Sequence, residues 1–218
     1  MALITSADIM LRVRDVIQDP SSLRWLEAEG ERWLLDAQVK VASVIPGAGP
    51  TGYVTKALAV GIEQSITDNG AGRTVSRVLD VICNQTGATR GGTVRKIAKD
   101  QMDEQEPDWP SATASTDVLY WMPHENEPRD FYVQPPAASG ASVRCKVALV
   151  PSSASTIEVI DAARDALVAY VIARCWAKDA TYAKGTSEYM ALFDAELKLL
   201  LGGDNRNYQQ VQERQKPR

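Results

Sequence analysis

The chain has 218 residues, 24 of them Lys or Arg and 28 Asp or Glu, for a formal net charge of −4. That length allows one large domain, or one domain with an appendage, and needs neither metal nor disulfide to fold. The acidic excess speaks against a general nucleic-acid binder, and the single histidine, His124, excludes any site that needs two imidazoles per chain.

The N-terminus, Met1 to Asp8, has no basic region followed by an apolar one, so no signal peptide is expected. Thr5 followed by Asp8 fits a capping box, and Ile9, Val13, Val16 and Ile17 then recur on one face of a short helix. Asp19-Pro20-Ser21-Ser22 ends it. A second helix is predicted from Glu27 to Val44, with Trp33, Ala37, Val41 and Val44 at helical spacing and Glu31, Arg32, Asp36 and Lys40 facing out. Pro46 and Gly47 stop it.

From Gly47 to Pro151 the helical period fades. Tyr53–Val60, Arg73–Ile82, Val118–Met122, Asp130–Gln134 and Ser142–Val150 read as strands, with helix an alternative for the first half of Arg73–Ile82. In the last, Val143, Cys145, Val147 and Leu149 alternate with polar neighbours. Asp68-Asn69-Gly70 signals a turn, Gly87–Gly92 reads as a loop, and Val94–Glu106 fits helix or strand. Pro135 to Gly140 reads as the loop of a hairpin.

Helical signals return after Pro151. Thr156 is a candidate N-cap for a helix from Ile157 to about Lys184. Leu167, Val168, Tyr170, Val171, Ile172, Cys175 and Trp176 make its centre apolar on nearly all sides, so other elements must surround it. The longest strongly apolar run, Ala166–Ala173, is too short to span a membrane. A last helix, Ser187–Leu201, is expected to stop at Gly202-Gly203. Beyond it, only Tyr208 and Val211 are large and apolar. Arg206, Arg214, Lys216 and Arg218 against Asp204 and Glu213 leave this segment at +2 and the remainder at −6. Such a segment buries too little surface to order by itself. The fold expected is α+β: a helical body from 1–46 and 152–201, a β-rich insertion from 47–151, and an extended C-terminal arm from 202–218.

Chemical motifs are sparse. Gly47-Ala48-Gly49-Pro50-Thr51-Gly52 matches GxGxxG, but a helix precedes it and extended chain follows, the reverse of a dinucleotide site. Asp100, Asp103, Glu104, Glu106 and Asp108 lack EF-hand spacing and read as a solvated face. His124 lies in a loop with no nucleophile elbow in the chain. Cys83, Cys145 and Cys175 are scattered, as buried thiols in a reducing compartment are. The residues therefore imply no cofactor, no metal and no catalytic group.

Several stretches resemble, in order, the head-to-tail adaptor (connector) proteins of tailed bacteriophages, short-tailed ones above all. They are Arg32 to Gln38 (RWLLDAQ); Gly61 to Ile66 and Val78 to Asn84; Glu106-Pro107-Asp108-Trp109; Arg129 to Pro136 (RDFYVQPP); and Ala166 to Val171, leading to Ala177 to Ala183 (AKDATYA). The resemblance implies a virion protein of the neck, assembled in the host cytoplasm. It implies a ring, a dodecamer, seated on the portal protein, which carries tail nozzle or fibre components and lets DNA pass through its lumen without specific binding. No membrane is involved, and no catalytic residue is carried over. In such proteins a C-terminal extension embraces the portal. The corresponding candidates are Tyr208 and Val211 as apolar anchors, with Arg206, Arg214, Lys216 and Arg218 as charged contacts. Two other readings stay open. One is a different tail-completion protein. The other is a hydrolase or saccharide-binding module, which requires a pocket with convergent polar groups near His124 or Trp121.

Overall fold

The computed structural model describes residues 4–179 and 183–214, with side chains described through Gly202 except at residue 183. The chain divides into two compact units, residues 1–49 with 151–218, and residues 50–150. Among the described residues five α-helices and two four-stranded sheets form an α+β protein.

The first unit is helical. α1, Ser6–Ile17, opens on the expected capping box: the Asp8 N–H donates to Thr5 Oγ1 at 3.1 Å, and the Thr5 N–H donates to the Asp8 carboxylate at 3.1 Å. Its buried face is Ile9, Met10, Val13 and Ile17. Val16, expected inside, is 44% exposed, and Met10 takes its place. α2, Glu27–Val44, has the expected limits, but its buried stripe is Leu34, Ala37, Gln38 and Val41, with Val44 exposed.

The polar member of that stripe, Gln38, explains a second departure. The fully buried Gln38 amide donates to Ser153 O at 3.1 Å and accepts from the Glu158 N–H at 2.6 Å. The Ile160 N–H is taken by Ala48 O at 2.9 Å. Those backbone groups cannot also serve a helical ladder, so Thr156 is no N-cap. The chain stays irregular to a 3-10 turn at Asp161–Ala163, and α4 spans Arg164–Lys178. Its end is also earlier than expected, because Asp179 is extended (φ −112°, ψ 107°). Within α4, Ala166, Leu167, Ala169 to Ala173 and Cys175 are buried, and α1, α2 and α5 all pack on it.

α5, Ala183–Arg214, does not stop at Gly202-Gly203, so residues 202–214 are helical rather than extended. Glycine in a helix costs about 1 kcal/mol relative to Ala but creates no clash. Leu199 to Leu201 precede the pair, and no proline intervenes before Pro217. Phe193 and Leu197 seat α5 in the core, where Phe193 meets Tyr170 edge-on with ring centroids 5.2 Å apart.

The second unit holds β1 (Thr51–Ala57), β2 (Gly61–Ser65), β3 (Val75–Thr86), β4 (Thr89–Thr93), β5 (Arg95–Lys96), α3 (Lys99–Gln105), β6 (Tyr120–Pro123), β7 (Asp130–Ala137) and β8 (Ser142–Leu149). One sheet has the order β1-β8-β3-β4, the other β2-β7-β6-β5. The sheets share one core that includes Val54, Val78, Val81, Trp121, Phe131, Val133, Val143 and Cys145. The Asp68–Gly70 turn forms as expected. Gly70 takes φ 75°, a conformation glycine adopts without a Cβ penalty, and its N–H donates to Asp68 Oδ1 at 2.8 Å. The expected loop at 87–92 is instead a hairpin: Gly87 turns at φ 58° and Thr89–Thr93 pairs with β3. Pro135 and Pro136 lie inside β7, where pairing with β2 skips from Tyr132 to Ala137 and no ladder N–H is needed from them. Asn84 joins the sheets: its amide accepts from the Val118 N–H at 2.9 Å and donates to Val118 O at 2.8 Å.

Replacing Gln38 by Ala removes its two hydrogen bonds, to the Glu158 N–H and the Ser153 carbonyl, a loss of about 1–3 kcal/mol. Urea unfolding should show a lower midpoint for Gln38→Ala.

Candidate functional site

The C-terminal candidates fall in two groups. Positions 206, 208, 211 and 214 lie on the backbone of α5, so they belong to a helical rather than an extended segment. The side chains of Arg206, Tyr208, Val211 and Arg214, and all of Lys216 and Arg218, lie outside the described residues.

The helical unit shows two surfaces that carry no signal at the level of sequence. The first is the loop after α1. Gln18 and Ser22 both take positive φ, 55° and 52°. Asp19 organises the turn: its carboxylate accepts the N–H groups of Leu23 at 2.9 Å, Arg24 at 3.0 Å and Trp25 at 3.1 Å. Burial works to raise the Asp19 pKa, but the hydrogen bonds from Trp25, Leu23 and Arg24 outweigh it and hold the group below the ordinary carboxylate range. Trp25 anchors the loop, donating from its indole N–H to Cys175 O at 3.0 Å and meeting Trp176 edge-on. The loop thereby presents Leu23, 85% exposed, and Leu26, 62% exposed, on a fixed backbone. The second surface is a groove of about 390 Å³ between α1, α4 and α5, floored by Val16, Val168, Ile172 and Leu192 and edged by Arg12 and Asp15. Val16 and Leu192 are partly exposed there.

In the β unit, His124 sits beside a hollow of about 350 Å³ that Lys56, Glu63, Ser65, Asp130 and Tyr132 also line. It lies where a hydrolase or a saccharide-binding module would need convergent polar groups. His124 Nδ1 accepts the N–H groups of Glu127 at 3.1 Å and Asn126 at 3.3 Å, so that nitrogen closes the loop, and the ring stacks on Tyr132. Among the described residues, neither Ser65 nor Asp130 hydrogen-bonds to the His124 ring through its side chain. The nucleophile–base–orienter chain that acyl transfer needs is not assembled.

In the acidic cluster Asp100, Glu104, Glu106 and Asp108 are exposed, as expected of a solvated stretch, and Asp103 is half-buried. Asp103 pairs with Lys99 at 2.6 Å and accepts the Trp109 indole N–H at 2.7 Å, and these two hydrogen bonds hold its carboxyl below the ordinary range. Glu106 accepts from the Gln134 amide at 2.9 Å. Thus Trp109 of the EPDW stretch and Gln134 of the FYVQPP stretch are tied to the segment from α3 to Glu106. Among the described residues no group of three or more His, Cys, Asp or Glu side chains is gathered to hold a metal ion. No helix there is long and apolar enough to cross a membrane. The GxGxxG stretch is a 3-10 turn at Pro46–Ala48 running into β1, without the helix N-terminus a pyrophosphate would need. Cys83, Cys145 and Cys175 are buried, and burial pushes the Cys145 and Cys175 thiols up to about 12.

Compared with known families, residues 4–216 match the family model described as SU10 adaptor protein. No curated protein matches the chain.

Two outcomes follow from these sites. Asp19 binds its proton less readily in the folded chain than in the unfolded one. Its stabilisation is therefore complete above about pH 4 and is lost as pH falls through its lower folded value. The gap in melting temperature between wild type and Asp19→Asn is expected to be largest near neutral pH and to narrow below about pH 4; a gap independent of pH contradicts the assignment. A thiol reagent at neutral pH should label none of the three cysteines in the native protein and all three in denaturant, read by intact mass.

Proposed function

The chain belongs to the SU10 adaptor protein family, phage adaptors with a structural role in the neck and tail of the virion, and on that premise we propose that it forms a ring joining the portal protein to tail components, with DNA passing through the lumen. The match over residues 4–216 is the observation that carries the reading. The ring is proposed as a dodecamer, after the adaptors it resembles, with tail nozzle or fibre proteins on its distal side and assembly in the host cytoplasm. The work is contact and shape, and no catalytic step is assigned to any residue.

The charge layout supports a conduit. Residues 1–201 carry −6 and the remainder +2. Acidic subunits repel phosphates over a Debye length of about 8–10 Å, which suits a channel that must let DNA slide. The surface features suit assembly. Leu23 and Leu26 stand exposed on a loop locked by Asp19, and an apolar groove lies between α1, α4 and α5. Apolar groups held on fixed backbone bind without a large ordering cost.

The C-terminal segment is the proposed portal-docking arm, with Tyr208 and Val211 as apolar anchors and Arg206, Arg214, Lys216 and Arg218 as charged contacts. Positions 208 and 211 are three apart on a helix and so share a face. Weak contacts repeated around a closed ring gain avidity through effective concentration. Deleting residues 202–218 should abolish binding to purified portal protein while leaving the circular dichroism of the remaining chain native. Unchanged affinity of the truncated chain would show that docking lies elsewhere.

A further inference from the structure

The sheet β1-β8-β3-β4 is open at both ends. β1 pairs with β8 in unbroken register over all seven residues, with no proline and no bulge, so it has neither of those devices that blunt an edge. The outward groups follow from the ladder. The Leu149 N–H donates to Pro50 O at 2.8 Å and the Leu58 N–H donates to Ala141 O at 2.9 Å, which makes Pro50/Leu149 and Leu58/Ala141 bonded pairs. Pairs alternate in an antiparallel ladder. The backbone groups of Thr51, Tyr53, Thr55 and Ala57 therefore point away from β8. At the other edge the Val94 N–H donates to Ile82 O at 3.2 Å while Thr93 stands opposite Cys83, so the backbone groups of Thr93 point away from β3.

From these two edges we infer that β4 of one copy pairs with β1 of the next, so that the sheet runs on between neighbouring subunits. This deepens the ring reading above and rests on it. Strand direction favours the pairing. β1 is antiparallel to β8, β8 to β3, and β3 to β4, so β1 and β4 run in opposite directions. A head-to-tail repeat preserves each strand's direction, and β4, whose pairing with β3 shifts register between Thr93 and Arg90, then meets the next β1 antiparallel. Such a heterologous contact closes rings, whereas β1 against β1 would stop at a dimer. Side chains favour it as well. Tyr53 on β1 is 60% exposed, and β4 carries Gly91 and Gly92, bare backbone that an aromatic across the seam covers. All five residues of β4 are exposed.

The test uses the full chain with one edge disabled at a time. Thr55→Pro and Thr93→Pro each remove an outward N–H and leave the bonded pairs within the sheet untouched. Sedimentation velocity of wild type should show species larger than one subunit growing with concentration. Each variant alone should lose every such species. An equimolar mixture of the two has one competent seam and should give a dimer and nothing larger. Should proline unfold the unit, Tyr53→Lys removes a largely exposed ring, along with its stacking under the Arg144 guanidinium, and should still shift wild-type assembly towards single subunits. If both proline variants and Tyr53→Lys assemble like wild type, the seam is wrong and the ring reading stands. If Thr93→Pro alone still dimerises while Thr55→Pro does not, the β1 edge pairs with itself and the inference fails. If wild type stays a single subunit both alone and with portal, the ring reading falls and takes the seam with it.

Discussion

A helix with no polar face cannot stand against water, and α4 is such a helix. Ala166, Leu167, Ala169 to Ala173 and Cys175 are buried around its whole girth, and each large apolar side chain kept from water contributes about 1.5–3 kcal/mol. α1 and α2 carry one apolar stripe each and cannot build a core with each other alone. They wait for α4, which arrives only after the entire β unit has been made. The helical unit is thus assembled from both ends of the chain. The β unit folds around its own core of Val54, Val81, Trp121, Phe131 and Val143, so the sequence between the two halves satisfies its own apolar surface.

What could be read from sequence was what local chemistry decides. The α1 cap needed only Thr5 and Asp8, the limits of α2 only its period and Pro46, and β8 only its alternation. Three departures stand against these. The late start of α4 comes from Gln38, which captures the Glu158 N–H from α2, 120 residues away in sequence. β4 has the composition of a loop, Thr89-Arg90-Gly91-Gly92-Thr93, and is a strand because β3 offers it an edge. α5 continues through Gly202, with helical backbone running on to Arg214. In the first two cases a tertiary contact overrides a correct reading of propensity.

The family was legible for a related reason. Part of the RWLLDAQ and FYVQPP stretches lies where side chains join elements: Gln38 to the chain before α4, and Gln134 to Glu106. Such joints leave a trace in sequence, and the family match over residues 4–216 bears out the resemblance. The surfaces available for assembly leave a fainter one. A strand edge is made of backbone, which has no letter. Leu23 looks like any leucine until Asp19 is seen to hold its loop open to solvent. Of the chemical groups that sequence reading singles out, His124 closes its loop and Asp103 of the acidic run anchors Trp109. What remains for function is shape, open edges and charge layout, which fits a protein whose task is to be a joint.

On the proposed reading, many copies of this chain form one ring on the portal. Native mass measurement of the full-length chain mixed with purified portal protein tests it directly. The expected result is a single complex whose added mass is a fixed whole number of subunits, twelve by resemblance, with no lesser occupancy persisting when the chain is in excess. Portal that remains bare, or that binds single subunits in a graded series with no preferred number, would contradict it.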